Sequence, residues 1–283
     1  MHLIFNIHKP LGLSSHDVVA QVRKLLNTKK VGHAGTLDVE ASGVLILGVG
    51  EGTKLLNHLQ THHKVYQFDV YFGVLTDTLD HTGEVLETSA SPLPEWLDLN
   101  PWVGEYAQTP PAYSAVKVKG KKLYEYARNH QEIPVVNPRL LTVYSLRQTA
   151  PCVADQLGYR ASFEVTSSSG LYVRQLALDI ALKYQTVAHT TKIHRMVVGP
   201  FDHSTAIKLE DLEARHGIKL TDAIPAFTRY VLTDQQLADV KVGRSLQLPI
   251  TDDLIQVTKD NLLWGLYQKK EDHYIPIRIF KGV

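Results

Sequence analysis

The 283-residue chain predicts an α+β fold, a large mixed and mainly antiparallel sheet flanked by helices, followed by a small β-rich unit at the C-terminus. Three observations carry that expectation. Tyr66, Phe68, Val70 and Phe72 alternate along "VYQFDVYFGV", the period of a strand with one buried face. Val18, Val19, Val22, Leu25 and Leu26 recur at helical spacing behind a Pro- and Gly-containing turn. Such segments then mix without the strict strand and helix alternation that a doubly wound parallel sheet requires.

In order along the chain, Ser14 and Asp17 have the spacing of a capping box and open the first helix. Arg23, Lys24, Lys29 and Lys30 fall to its exposed face and C-terminal end, where positive charge is favourable. "GVLILGVG" is a short apolar run between glycines and reads as a buried strand, and "GTKLLNHLQTHHK" reads as a helix. The polar loop "TDTLDHTGEV" precedes a stretch, Pro92 to Pro101, expected to hold a short surface helix. Lys117 and Lys119 then alternate along a strand, Gly120 marks a turn, and Lys121 and Lys122 open a helix. "RLLTVYSLRQ" and "YRASFEVTSSSG" read as strands. A helix from Leu171 to about Tyr184 places Leu171, Leu178 and Leu182 at spacings of seven and four, with Arg174 in its first turn. "TKIHRMVVGPF" is a strand stopped by Gly199 and Pro200.

From Tyr230 the character changes to short β-like runs, "DVKVGRSLQL", "LIQVTK", "LLWGLY" and "YIPIRIF". The expected division is therefore 1–229 and 230–283. A unit of roughly fifty residues is marginal alone and should lean on the larger one.

Thirty basic against 29 acidic side chains give a net charge of +1, so any nucleic-acid surface must be a local patch. Cys152 is the one cysteine, which excludes an internal disulfide and a cysteine-based zinc site and suits a reducing cytoplasm. His8, Lys9 and Pro10 interrupt the N-terminal apolar run before a signal-peptide core forms, and no run approaches membrane-spanning length. "GVGEGTK" fails the phosphate-loop pattern because Thr53 precedes Lys54. His58 and His62 lie four apart with no Glu at the metalloprotease position, so they read as a solvated face and no metal is expected.

Asp38 sits in "VGHAGTLDVEASG", where an aspartate either closes an Asx-turn or serves as a reactive carboxylate. Arg174 is either a plain surface arginine or the partner of an anion, since a cation is unfavourable at the positive end of a helix dipole unless a carboxylate or phosphate is near. Tyr113, Tyr124 and Tyr126, interleaved with Lys117, Lys119, Lys121 and Lys122, combine cations for phosphates with aromatic faces for unstacked bases. By themselves these residues indicate an RNA binder and no more.

Taken together and in order, "KPLGLSSHDVV", "KKVGHAGTLDVEASGVLILGVGEGTK", "KVYQFDVYFGVLTDTLDHTGEV", "TPPAYSAVKVKGKKLYEYAR", "SSSGLYVRQLALDI" and "VVGPF" resemble the TruB family of tRNA pseudouridine synthases, which convert uridine 55 in the T loop of tRNA. The resemblance implies the pseudouridine synthase fold with a reduced PUA-like C-terminal domain. It implies an isomerase needing no cofactor, acting in the cytoplasm as a monomer on the tRNA T stem-loop, with no obligatory protein partner. By the same resemblance Asp38 is the catalytic carboxylate and Arg174 its charge-assisted partner, keeping it ionised when RNA excludes water. Tyr66 stacks on the flipped base, Tyr172 and Ile193 line the nucleotide pocket, and His33 contacts the T loop. Lys117, Lys119 and Lys121 bind RNA.

The chain departs from the family pattern at four places. Val39 replaces the proline after the aspartate, Ser42 a common threonine, Leu171 a small or hydroxylated residue, and His194 the first of two arginines. A non-catalytic RNA-binding protein on the same scaffold and the guide-RNA-dependent branch of the superfamily are the two rival readings.

Overall fold

A computed structural model describes every residue except Ala90 and His130. In chain order it runs β1 (Leu3–Lys9), α1 (Ser15–Leu25), β2 (Val31–Ala34), β3 (Ala41–Val49), a 3-10 turn, α2 (Leu56–Gln60) and β4 (Lys64–Phe72). A hairpin of β5 (Val74–Thr76) and β6 (Val85–Thr88) follows, then β7 (Gly104–Gln108), β8 (Lys117–Val118), β9 (Lys121–Lys122) and α3 (Leu123–Arg128). Next come β10 (Arg139–Asp155), β11 (Gly158–Ser167), α4 (Val173–Lys183), β12 (Ala188–Val198), β13 (Phe201–Asp202), β14 (Ile207–Lys208) and β15 (Ile218–Lys219). The chain ends with β16 (Thr228–Val231), α5 (Asp234–Lys241), β17 (Leu254–Lys259), β18 (Leu262–Lys270) and β19 (His273–Ile279).

The main sheet has the order β14-β1-β3-β12-β4-β11-β10-β7. Its pairs are antiparallel except β1 with β14 and β3 with β12, so the sheet is mixed and mainly antiparallel as expected. The parallel β3–β12 pair sets Ala41 opposite Ile193 and Gly43 opposite Arg195. At Gly43, φ is +108° and an added Cβ would lie 2.2 Å from the Arg195 carbonyl oxygen, so only glycine fits this approach.

Each apolar pattern is explained by what covers it. β3 reads as an unbroken apolar run because both of its faces are buried. Leu45 and Leu47 pack with Phe5, Ile7 and the Val18, Val19 and Val22 stripe of α1, whereas Val44 and Ile46 face a second core with Ile4, Leu55 and Leu59. Tyr66, Phe68, Val70 and Phe72 share the β4 face that meets α4. The Ser14 hydroxyl accepts from the Asp17 amide and the Asp17 carboxylate accepts from the Ser14 amide, completing the capping box.

Several local expectations are corrected. Leu25 is exposed, and α1 buries its three valines instead. Residues 92–101 form no α-helix; only Asn100–Trp102 makes a 3-10 turn, because closely spaced prolines deny the ladder its donors. The apolar face of α4 is Val173, Leu176, Ala177, Ile180 and Ala181, while Leu182 is exposed; small alanines let the helix sit close to β4 and β12. "DVKVGRSLQL" is the end of α5 and a turn rather than a strand, opened by Thr233 capping Gln236. Lys119 lies in a turn with Gly120, both with positive φ, and Lys121 and Lys122 form the return strand, so α3 begins at Leu123. The segment from Gly50 to Gln60 splits into a 3-10 turn and five residues of α2.

β16 to β19 form a separate four-stranded sheet. It does not stand free. Leu263, Leu266 and Phe280 share a core with Ile4, Ile46, Leu55 and Leu59 of the main sheet region, and the Lys54 ammonium donates to the Ile279 carbonyl at 3.0 Å. Among the described residues no helix is long and apolar enough to cross a membrane.

Candidate active site

Asp38 projects from the bend between β2 and β3, and the bend is fixed on both sides. The Ser15 hydroxyl accepts from the Leu37 amide at 2.9 Å and donates to the Leu37 carbonyl at 3.1 Å. The Gly12 amide donates to the Val39 carbonyl at 3.0 Å, and the fully buried Lys9 ammonium reaches the carbonyls of Pro10, Leu13 and Val39. Burial pulls the Lys9 amine down to about 8, opposed by the nearby Asp38 and Glu40 carboxylates. On the other side, buried Arg195 donates to Val44 and, at 3.0 Å, to the Gly35 carbonyl. Leu37 and Val39 are thus tied at backbone level while the Asp38 side chain stays 47% exposed.

Arg174 is the second residue of α4 and its side chain is only 5% exposed. Its guanidinium lies 2.9 Å from the Asp38 carboxylate and 3.7 Å from that of Asp80, and donates to the carbonyls of Thr78 and Tyr113. Four oxygens therefore surround a cation placed at the unfavourable end of a helix dipole. Asp80 is itself held by hydrogen bonds from Thr78 and from the amide and hydroxyl of Thr82.

A small cleft opens over this group, lined by Asp38, Glu40, Asp80, His81, Arg174 and Thr190 to Ile193. Ile193 is thus among the residues that line this cleft. Tyr66 is 7% exposed and belongs to the same buried cluster as Leu37, Ala41 and Ile193. Tyr172 precedes α4 as its N-cap residue, two positions from Arg174. His33, on β2, stacks edge-on against His16 with ring centroids 5.4 Å apart. Lys117 and Lys119 are exposed on the β8–β9 hairpin, whereas Lys121 is half-buried, over the Tyr126 ring and bonded to Gln131.

Asp80, Glu40 and His81 escaped the sequence reading. Only the density of hydroxyls and acids in "TDTLDHTGE" pointed toward Asp80 and His81, and Glu40 lay unnoticed two residues after Asp38. His58 and His62 are not a solvated face: they pack edge-on at 5.2 Å, and His58 also meets Phe227. Among the described residues no group of three His, Cys, Asp or Glu side chains has metal-holding geometry. Two departures from the family pattern are one feature, for the Ser42 hydroxyl and His194 Nδ1 share a 2.8 Å hydrogen bond.

A family model described as "TruB family pseudouridylate synthase (N terminal domain)" matches residues 23–173. The chain belongs to the TruB family. Among TruB relatives, a protein called tRNA pseudouridine synthase B from Streptococcus sanguinis is 35% identical over 99% of this chain and 100% of its own length. One of the same description from Mycoplasma capricolum is 34% identical over 97% of this chain and 95% of its own length. Of solved structures, the "Crystal Structure of a Cbf5-Nop10-Gar1 Complex" superposes with a TM-score of 0.68 at 22% identity, covering 99% of this chain and 84% of that one, a likeness of fold.

Burial, with His16 and Arg195 nearby, pulls the His33 imidazole from 6.5 down to about 4. Between those values the unfolded chain binds a proton that the folded chain does not, so this TruB chain should lose stability as pH falls from 6.5 toward 4. Urea midpoints across that window should fall less steeply for His33→Gln than for wild type. Identical slopes would remove His33 as a contributor.

Proposed function

We propose that the chain isomerises uridine 55 of the tRNA T loop to pseudouridine, with Asp38 as the catalytic carboxylate. The observation that carries this reading is the 2.9 Å contact of Asp38 with a buried Arg174 at the foot of an open cleft. The choice of tRNA rests on end-to-end similarity to proteins called tRNA pseudouridine synthase B.

The reaction breaks the N1–C1′ bond of uridine and joins C5 to C1′. C5 gives up its proton and N1 gains one, so product and substrate have the same composition and no cofactor is consumed. An exposed carboxylate on a backbone-tethered bend can attack the sugar, add to the ring or take a sugar proton. Arg174 supplies fixed positive charge beside it, offsetting its desolvation when a flipped nucleotide closes the cleft. Ile193, on the cleft, is assigned as the apolar wall, and Tyr172 and Tyr66, which lie outside the cleft's lining, as the aromatic wall and the stacking platform for a base that has left its loop. His33 meets the T loop.

The β8–β9 hairpin is the phosphate-binding arm. Exchanging Lys117 and Lys119 for Gln should weaken RNA binding and lower the slope of log K against log salt by roughly 0.7 to 0.9 for each phosphate that is no longer neutralised. Lys121, already engaged by Tyr126 and Gln131, should contribute least. Binding measured at several salt concentrations checks this, and unchanged slopes would place the RNA elsewhere. Residues 1–229 are the catalytic unit and 230–283 a PUA-like unit. We read the enzyme as a cytoplasmic monomer that needs no protein partner: the lone cysteine, Cys152, suits a reducing compartment, and the similarity runs over the whole length of a relative called tRNA pseudouridine synthase B. Purified protein acting on a bare T stem-loop tests the whole reading, because a guide-dependent enzyme or a non-catalytic binder would leave that RNA unmodified.

A further inference from the structure

We propose that Gln108 is a positioning residue for pseudouridine formation, registering Tyr172 through that residue's own backbone; this rests on the pocket role proposed for Tyr172. Gln108 ends β7 and is 2% exposed. Its Oε1 accepts from the Tyr172 amide at 2.8 Å and its Nε2 donates to the Tyr172 carbonyl at 3.0 Å. A carboxamide carries one donor side and one acceptor side, as a peptide group does, so it grips both polar groups of a single residue. A carboxylate of the same size cannot, because it lacks the donor.

The grip matters because Tyr172, the N-cap residue of α4, makes no side-chain cap to the helix. Its carbonyl already accepts from the Leu176 amide at 3.0 Å, and Gln108 takes the remaining capacity of that oxygen. The second Nε2 hydrogen goes to the Tyr106 hydroxyl at 3.2 Å. Tyr106 in turn donates to Asp179 on α4, whose other oxygen accepts from Gln175 at 2.8 Å. The network thus starts at the N-cap residue of α4 and returns to the helix about two turns later, fixing the helix start against β7 in both position and rotation. Beyond Gln108, Thr109, Pro110 and Pro111 lead stiffly to Tyr113, whose carbonyl holds Arg174. No other described side chain bonds both backbone groups of Tyr172.

The test compares wild type, Gln108→Leu, Gln108→Glu, Tyr172→Ala and the double variant Gln108→Leu/Tyr172→Ala. For each, the single-turnover rate on a T stem-loop RNA, the RNA Kd and the thermal midpoint are measured. Gln108→Leu and Gln108→Glu should each slow isomerisation by about tenfold or more while Kd stays within about threefold. In the Tyr172→Ala background the added Gln108→Leu change should cost no more than about threefold, because a residue acting through Tyr172 has nothing left to place. Rates within about twofold of wild type, multiplying effects in the double variant, or rate losses that follow Kd or thermal midpoint in both Gln108 variants would overturn the proposal. An inactive wild type would instead overturn the parent reading.

Discussion

Asp38→Asn should bind T-loop RNA within about threefold of wild type yet form pseudouridine at least about a thousandfold more slowly. The amide keeps the size of the carboxylate and still offers an oxygen to the Arg174 guanidinium 2.9 Å away. The tethers of the bend, from Ser15 to Leu37 and from Gly12 and Lys9 to Val39, do not involve the Asp38 side chain, so fold and RNA contacts persist. What is lost is the negative oxygen that can attack or take a proton. Single-turnover rates with enzyme in excess measure this directly. A variant retaining more than about a tenth of the rate would remove Asp38 from the chemistry.

Arg174 should show the second large effect, on rate and stability together. Arg174→Met leaves the Asp38 and Asp80 carboxylates facing each other without a cation and strips donors from the Thr78 and Tyr113 carbonyls. Breaking a buried pair by removing one partner costs about 3 to 5 kcal/mol, and the half-exposed Asp38 places this case toward the lower figure. The rate should fall by about a hundredfold or more, with a much smaller change in RNA affinity, because the guanidinium is covered by protein and directs its donors to protein oxygens. Arg174→Lys should recover little, since one ammonium cannot serve four oxygens spread around a planar fork. Chemical denaturation together with rate and Kd measurements checks each part. An affinity loss as large as the rate loss would recast Arg174 as a binding residue.

How much of this was legible follows from how local each signal is. The capping box of α1, the alternation along β4 and the double-faced run of β3 are short-range patterns whose physical cause lies within a few residues, and all appear in the fold. The apolar face of α4 was misjudged because leucine spacing drew attention away from Ala177 and Ala181, which are small and pack closest. The end of α5 looked β-like because Val240 and Val242, on either side of Lys241, drew attention from the Thr233 and Gln236 cap. At the site, the ordered motifs named Asp38 and Arg174 before their contact was visible, and the dipole argument at Arg174 already asked for an anion nearby. Asp80 and Gln108 were not legible. Each acts through a partner 94 or 64 positions away, Asp80 on Arg174 and Gln108 on Tyr172, and no spacing rule reaches so far.

The central claim is tested most directly by incubating an unmodified tRNA transcript with the purified chain alone and locating pseudouridine by mass spectrometry of ribonuclease fragments. The account predicts one pseudouridine per tRNA, at position 55, formed without cofactor or added protein. Pseudouridine at another position, or none unless a guide RNA or partner protein is supplied, would contradict it.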